Sequence, residues 1–387
     1  MIGQFFSSAS AIVVAIAFAN LLPKEVYGSY RYILSIFAIL LIPTLTSMDT
    51  AVAQAVSTGN EGVFKAAFKE KIRWGILGVI ASFGCSVYYF FNQNYEFSIC
   101  FALIAIFIPL TESFDMYNAV LQGRQQFRTF TVYNSLTQIL SAICSIAAAF
   151  YSKNVAVLVV IFVISNTILN FIFLKLTTRY QPLNLKYDPQ TISYGKHLSV
   201  MDILQTTVGQ LDKILVFHYL GATDLAIYTI AIAPPEQIKG LLKNISFLAM
   251  PRFAQRPVED IQRNLVARLI KFGLIIIAGT AAYIFVAPYI YNVFLPQYSQ
   301  SIFYSQLFSV SLVAGVLLII PQSFMQAHKA KRQLYQYNVS TNIFLIAVLF
   351  PCIYFWGLMG AIIARIIARF FTLGASIFLA YRIKEEI

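Results

Sequence analysis

Charged residues are scarce in this chain, and their scarcity bounds its fold class. They make up 11% of the 387 residues, whereas 59% are hydrophobic, and the mean hydropathy is +0.72. A soluble globular domain carries about 25% charged residues. The composition therefore excludes a soluble domain of this length and predicts an integral membrane protein.

Cysteine and histidine are also rare, which removes most catalytic and metal chemistries. No metal-ligand or nucleophile spacing occurs among Cys85, Cys100, Cys144, Cys352, His197, His218 and His328. The sequence has no glycine-rich phosphate-binding loop. A membrane-bound polymerase or ligase would need a reactive group outside the bilayer, yet the longest external segment, 289–301, holds no Lys, Arg, Asp or Glu. We therefore expect no enzyme activity, no cofactor and no metal site.

Apolar segments of membrane length occur twelve times. Each approaches the roughly 20 residues that span a bilayer as a helix. The first is expected to be a retained span rather than a secretory signal, because no basic residue precedes it. The sequence thus predicts an all-α integral membrane fold. Its predicted spans are 2–22, 32–56, 72–91, 97–121, 130–150, 155–176, 197–219, 225–250, 269–288, 302–325, 337–355 and 357–381.

Lysine and arginine are distributed unevenly between the connections. With the amino terminus inside, the outer side holds only Lys24, Arg31 and Lys153. Such a bias is typical of cytoplasmic loops, so the net charge of +12 indicates no nucleic-acid partner. We predict that both termini lie in the cytoplasm. The cytoplasmic set has twenty members: Lys65, Lys69, Lys71, Arg73, Arg124, Arg128, Lys175, Arg179, Lys186, Lys196, Arg252, Arg256, Arg263, Arg268, Lys271, Lys329, Lys331, Arg332, Arg382 and Lys384.

A polar stretch divides the spans into two groups of six. It contains Pro182 and Pro189 and predicts an amino-terminal half of residues 1–180, a cytoplasmic linker of residues 181–196 and a carboxy-terminal half of residues 197–387. Residues 22–30 and 220–228 follow the first helix of each half and form a weak internal repeat. Because each half has six helices, both halves begin on the same side of the membrane.

The seventh span has a polar face along nearly its whole length. Asp202, Gln205, Gly209 and Asp212 follow one another at spacings of three, four and three. Polar residues that share one face of a membrane helix are typical of a cavity lining. Lys213 lies about 100° around the helix from Asp212.

The eighth span combines charge with two prolines. Its charged residues share one face: Glu236, Lys239 and Lys243. The preceding Pro234 and Pro235 remove backbone donors, so we expect a bend that turns carbonyl groups toward a cavity and acts as a hinge. A structural interpretation stays open, in which Lys243 reaches the interface and Glu236 pairs with Lys239 or Lys213.

The remaining intramembrane charges have less certain roles. We expect Arg365 and Arg369 to neutralise Glu112 and Asp115 of the fourth span. Asp49 either joins an ion pair or lines a cavity. Arg31, at the outer end of the second span, either meets an exported anion or anchors at the headgroups.

The chain resembles the bacterial polysaccharide flippases of the multidrug, oligosaccharidyl-lipid and polysaccharide exporter superfamily. The resemblance rests on twelve spans in two sixes, the turn at 22–30, and the Leu211-Asp212-Lys213 step followed by Gly221 and Tyr228. It implies two six-helix bundles around a central cavity that opens alternately to each side. It also implies flipping of O-antigen or capsule repeat units for cell-surface polysaccharides such as lipopolysaccharide. The implied partners are membrane lipids, a polysaccharide polymerase and a chain-length regulator.

A lipid-linked oligosaccharide carries a pyrophosphate, which cationic side chains recognise. The candidate substrate residues are Lys213, Lys239, Lys243 and Arg31. The candidate coupling or cavity carboxylates are Asp49, Asp202, Asp212 and Glu236. The alternative is a cation-coupled drug or small-solute exporter of the same superfamily, although a cationic drug would favour carboxylates without competing lysines.

The topology is testable with single cysteines in a chain that lacks the four native ones. Cysteines at Asn94 and Gln297 should react with a membrane-impermeant thiol reagent in intact cells, whereas a cysteine at Pro189 should react only after permeabilisation. The charge bias is the reason for this expectation. Labelling at position 189 in intact cells would invert the arrangement.

Overall fold

The computed structural model describes residues 2–180, 183–243, 258–328 and 330–383. Within these ranges the chain is helical between short turns, and no strand occurs. Two 3-10 turns, Ile42–Thr44 and Pro296–Tyr298, interrupt the series. The helices are α1 (Ile2–Leu21), α2 (Lys24–Leu40), α3 (Met48–Ser57), α4 (Val63–Phe91), α5 (Tyr95–Ala105), α6 (Ile108–Asp115), α7 (Tyr117–Gly123), α8 (Phe127–Tyr151), α9 (Val155–Tyr180), α10 (Gln190–Leu220), α11 (Ala222–Lys243), α12 (Val258–Phe294), α13 (Ser301–Ser309), α14 (Ser311–Leu317), α15 (Ile319–Ala327) and α16 (Lys331–Tyr381).

Three predicted spans are broken into consecutive short helices. The second span comprises α2, the 3-10 turn and α3, and Leu45 between them adopts a left-handed φ of 59°. The fourth comprises α5 to α7, which bend by 45° before Pro109. The tenth comprises α13 to α15. Each break frees the chain from one straight helical axis and lets polar side chains of neighbouring segments meet.

The long helix α16 is a hairpin of two helices. Gly357 has φ 55° and ψ −133°, which is not helical. The rings of Phe344 and Phe371 stack with their centroids 3.8 Å apart, although 27 residues of straight helix would separate them by about 40 Å. The chain therefore reverses at Gly357, and the predicted spans 337–355 and 357–381 are confirmed as separate helices.

The fold is that of a multi-pass membrane protein. Among the described residues, seven helical segments are long and apolar enough to cross a bilayer, or eight when the bent α5–α7 segment counts as one span; the α16 hairpin is one of the seven. Large apolar side chains such as Phe91 and Phe285 are 78% and 76% exposed, as lipid-facing residues would be. Helices α10 and α11 are not among these segments, because their charged residues make them too polar. This agrees with the polar faces predicted for the seventh and eighth spans.

The chain forms two compact units, which meet in sequence within α10, between Ile214 and Leu215. Met48, Val63 and Tyr117 lie in the core of the amino-terminal unit. Phe324 and Met325 lie in a core cluster of the carboxy-terminal unit.

The beginning of α10 belongs to the amino-terminal unit and makes polar contacts within it. The helix starts at Gln190, before the predicted start of the seventh span. Lys196 and Glu70 form an ion pair with an N–O distance of 2.5 Å. Ser47 donates a hydrogen bond of 2.7 Å to Asp202.

A polar clasp holds the connection that precedes α10. Glu61, in the turn before α4, accepts two hydrogen bonds from Arg124, of 2.6 and 2.9 Å. It also accepts the backbone N–H of Asn184 at 2.9 Å, and Gly62 donates to the Lys186 carbonyl at 2.8 Å. The Arg124 hydrogen bonds lower the pKa of Glu61 despite the opposing effect of burial, and the Asn184 N–H lowers it further. The clasp is therefore intact at neutral pH and is lost only as the pH falls through that lowered pKa.

The close approach at Gly62 gives a matched pair of variants. A Cβ at Gly62 would lie 2.8 Å from backbone atoms of Leu185 and Lys186, whereas a Cβ at Gly84 would meet nothing within 4 Å. We expect Gly62→Ala to destabilise the protein by about 1–3 kcal/mol through overpacking, and Gly84→Ala to be neutral or slightly stabilising. Thermal unfolding of both variants in detergent measures the difference, and equal melting temperatures would contradict the packing argument.

Candidate functional site

A buried ion cluster occupies the amino-terminal unit. Helix α4 carries Lys71, whose Nζ lies 2.9 and 3.0 Å from the two carboxylate oxygens of Asp49 on α3. The same Nζ lies 3.7 Å from Oε2 of Glu112 on α6. Lys71 is completely buried, while the side chains of Asp49 and Glu112 are 26% and 22% exposed. One ammonium thus joins carboxylates of two broken spans.

The contacts of Lys71 correct one expectation from the sequence. Lys71, one of the cations predicted for the cytoplasmic side, is fully buried. Glu112 was expected to meet Arg365 and Arg369, but its cation is Lys71. Lys71 directly precedes the predicted third span, and α4 actually begins eight residues earlier, at Val63. The sequence did contain one signal for this contact, because carboxylates inside a membrane protein need a nearby cation.

Two side-chain amides extend this group of ions. We call Lys71, Asp49, Glu112 and Asp115 together the acidic cluster. Asn118 on α7 donates a hydrogen bond of 2.9 Å to Asp115. Asn134 on α8 donates one of 2.9 Å to the Asn118 side chain. Asp49, Glu112 and Asp115 outnumber the single Lys71 by two charges when all are ionised. Because desolvation disfavours surplus negative charge, the acidic cluster is suited to take up protons.

Two neighbouring cavities lie beside Arg31 and part of the acidic cluster. A cavity of about 380 Å³ has Glu112, Asp115 and Asn166 among its lining residues. A second, of about 310 Å³, has Arg31, Gln138 and Asn166. Asn166 belongs to both walls. The buried Nε of Arg31 has no hydrogen-bond partner within the described ranges, so it is an unused donor beside a mainly apolar cavity.

A second ion cluster, which we call the basic cluster, lies in the carboxy-terminal unit. Glu236 on α11 is the carboxylate that its ion pairs share in the part of the chain that the structure describes. Its Oε1 pairs with Arg365 at 3.3 Å and with Arg369, both on α16. Its Oε2 lies 3.2 Å from Nζ of Lys239. Arg369 also donates a hydrogen bond of 2.6 Å to Ser311 on α14.

An aromatic ring supports both guanidinium groups of the basic cluster. The Cζ atoms of Arg365 and Arg369 lie 5.6 and 4.8 Å from the ring centroid of the buried Phe308, within the range of cation–π attraction. Among the described residues, the ion pairs of the cluster join three cations to one carboxylate, a formal surplus of two positive charges. These arginines therefore pair with Glu236 and not with the carboxylates of α6. Their spacing of four placed them on one face but could not identify the partner.

The two prolines of α11 lie in the turn before the basic cluster. Pro234 cannot donate a hydrogen bond to the carbonyl of Ile230, four residues earlier. The Tyr291 hydroxyl donates to that carbonyl instead, at 2.9 Å. Tyr291 is fully buried, so this carbonyl does not open toward a cavity as expected. The predicted hinge at Pro234 and Pro235 stays a prediction.

The other predicted site residues are placed separately. Asp202 accepts from Ser47, as described above, and Asp212 is 3% exposed. Lys213 donates a hydrogen bond of 2.8 Å to Gln210. The side chain of Lys243 lies outside the described residues. Of the predicted site residues, Glu236 and Lys239 are therefore the pair that these contacts bring together.

The donor chemistry of both clusters favours anion and proton binding. In the part of the chain that the structure describes, no group of three or more His, Cys, Asp or Glu side chains is arranged to hold a metal ion. The basic cluster presents guanidinium and ammonium donors, which suit phosphate oxygens. The acidic cluster presents carboxyl groups, which suit protons.

Comparison with known proteins identifies relatives at the level of family and fold. The family described as "Polysaccharide biosynthesis protein" matches residues 17–296. No curated protein matches the chain.

Solved structures of membrane transporters share the fold. The lipid II flippase MurJ in an inward closed conformation aligns with a TM-score of 0.75 and 14% identity, over 97% of this chain and 86% of that one. An inward-facing multidrug resistance MATE transporter of the MOP superfamily gives 0.68 and 11%, over 98% and 94%. A MOP transporter from Pyrococcus furiosus, described as having a binding pocket of reverse polarity, gives 0.59 and 12%, over 98% and 93%. The twelve-helix, two-lobe membrane fold is thereby confirmed.

Lys71 should be essential for stability. We expect Lys71→Gln to cost about 3 kcal/mol, because it leaves partly buried carboxylates without their fully buried cation. The double variant Lys71→Gln with Asp49→Asn should recover part of that loss, because it also removes one stranded charge. Lys69→Gln, at an exposed position of the same helix, is the matched control and should change little. Thermal unfolding checks all three, and an unchanged melting temperature in Lys71→Gln would show that the ion pairs contribute nothing.

Proposed function

We propose that this chain, which belongs to the polysaccharide biosynthesis protein family, flips a lipid-linked oligosaccharide across the bacterial cytoplasmic membrane. The observation that carries this proposal is the surplus positive charge of the basic cluster. Two surplus cations inside a membrane protein are costly in free energy unless an anion binds to them. The pyrophosphate of a polyprenyl-linked repeat unit is such an anion.

The proposed task follows from the energetics of the cargo. A sugar headgroup cannot cross hydrocarbon unaided, because each hydroxyl would lose its water without gaining a new partner. Polar side chains of the protein replace that water. The polyprenyl tail stays in lipid, and alternating access exposes the headgroup first to the cytoplasm and then to the outside. No covalent step is required, so the protein acts as a transporter.

Each group of site residues has a proposed role. Lys239, Arg365 and Arg369 bind the pyrophosphate through charge-assisted hydrogen bonds. Arg31 offers a further donor in its cavity beside Gln138. Lys213 and Lys243, on the polar spans, are proposed to guide the anion.

The carboxylates are proposed to drive the cycle. Asp49, held by Lys71, belongs to the acidic cluster, which has more carboxylates than cations and would release or take up protons as the transporter changes state. Asp202 and Asp212 are proposed cavity residues, and Pro234 and Pro235 a hinge. The termini are proposed to face the cytoplasm. A polymerase and a chain-length regulator are proposed as partners in O-antigen or capsule assembly.

A second candidate function is export of cationic drugs. The acidic cluster favours it, because the carboxylates beside the 380 Å³ cavity could bind an organic cation. The basic cluster opposes it, because a cation would be repelled there. The two functions therefore predict opposite effects when the cations of the basic cluster are removed.

Neutral variants of the basic cluster test the proposal. We expect Arg369→Gln and Lys239→Gln each to reduce glycan export by about tenfold or more, since a hydrogen bond to a charged group contributes about 1.5–3 kcal/mol. Glu236 keeps two cationic partners in either variant, so folding should survive. The assay is complementation of a deletion strain, in which lipid-linked repeat units should accumulate facing the cytoplasm, with export expressed per folded transporter. Lys69→Gln is the control.

Dye resistance in the same strains distinguishes the two candidate functions. For a glycan-lipid flippase, sensitivity to cationic dyes should not change. Unimpaired glycan export together with altered dye resistance in both variants would instead establish drug export.

A further inference from the structure

Glu236 occupies the place that an anion would take in the basic cluster. Both of its carboxylate oxygens are engaged, Oε1 by Arg365 and Arg369 and Oε2 by Lys239. One carboxylate therefore serves as the counter-ion of all three cations. Two guanidinium groups and one ammonium group placed around two oxygen atoms would also bind the oxygens of a phosphate group.

We propose that Glu236 is an internal stand-in for the substrate pyrophosphate, which binds by displacing the Glu236 carboxylate from the three cations. This inference rests on the proposed function. In the empty transporter Glu236 keeps three partly buried cations from repelling one another. When the pyrophosphate arrives, its oxygens replace those of Glu236, and the exchange keeps each cation hydrogen-bonded throughout.

The surroundings of the cluster fit an exchange of this kind. Arg369 is held independently of Glu236, by Ser311 and by the face of Phe308, so its guanidinium stays in place when the carboxylate leaves. Arg369 is also the least exposed member, at 12%, whereas the side chains of Glu236 and Lys239 are 28% and 34% exposed. The exposed edge of the cluster, where a ligand would arrive, is therefore formed by Glu236 and Lys239.

Glu236 is also placed where its movement costs little. It directly follows Pro234 and Pro235, which together leave the preceding turn without two helical hydrogen bonds. Tyr291 replaces one of these two bonds through its hydrogen bond to the carbonyl of Ile230, so this turn is held partly from outside the helix. Displacement of one carboxylate is thus coupled to the orientation of α11.

Binding of inorganic pyrophosphate to the purified full-length protein tests the inference. We expect Glu236→Gln to bind pyrophosphate about tenfold more tightly or better than the wild type, because the internal competitor is gone. Asp224→Asn removes a carboxylate from the first turn of the same helix and should leave the affinity unchanged. Arg369→Gln should weaken binding. Calorimetry in detergent at fixed salt measures all four proteins.

The outcomes separate this inference from the proposed function. Tighter binding by Glu236→Gln alone supports displacement. Weaker binding by Arg369→Gln without tighter binding by Glu236→Gln would overturn displacement and leave the anion site standing. Wild-type affinity in both variants would overturn the anion site as well. An equal gain in Asp224→Asn would show a general charge effect and overturn displacement.

A conservative variant keeps the test open if Glu236→Gln does not fold. Glu236→Asp retains the charge but has a shorter side chain that cannot reach all three cations at once. It should bind pyrophosphate more tightly than the wild type, though less tightly than a neutral residue would. An affinity equal to that of the wild type would then overturn the inference.

Discussion

An ion inside a membrane protein must find a counter-ion, and this constraint organises both units of the chain. In the amino-terminal unit a single buried ammonium, on Lys71, holds together side chains of α3 and α6. In the carboxy-terminal unit a single carboxylate, on Glu236, holds together α11 and α16. The two solutions have opposite sign, since carboxylates outnumber cations in the first and cations outnumber carboxylates in the second. The proposed function uses this difference, with the anionic cargo assigned to the basic cluster and protons to the acidic cluster.

The helical framework could be predicted because it depends on local properties of the sequence. Twelve apolar segments and their charged connections define the spans, and the reversal at Gly357 falls at the first residue of the last one. The breaks inside the second and fourth spans were less accessible. Proline at 43 and at 109 marks them, but a proline within an apolar run is equally compatible with a kinked continuous helix. Only the packing around each proline decides.

The ion pairs could not be predicted with the same success, because periodicity identifies a helix face but not its neighbour. Arg365 and Arg369 were correctly placed on one face and then assigned to the wrong carboxylates. The pairing of Glu236 with Lys239 was open to prediction, since three residues of one helix separate them. The clasp between Glu61 and Asn184 spans 123 positions of sequence, and neither segment contains a sequence pattern that predicts the contact. Contacts of this kind follow from tertiary structure alone.

The hairpin at Gly357 also sets a depth for the cations that follow it. Three exposed aromatic side chains come directly before the turn: Tyr354, Phe355 and Trp356. Tyrosine and tryptophan settle at the headgroup level of a bilayer, so they moor the turn at one membrane surface. Arg365 and Arg369 lie eight and twelve residues further along, which is about 12 and 18 Å of helix. The hydrocarbon layer is about 30 Å thick, so on a helix that runs along the bilayer normal the Cα atoms of Arg365 and Arg369 would lie near its middle.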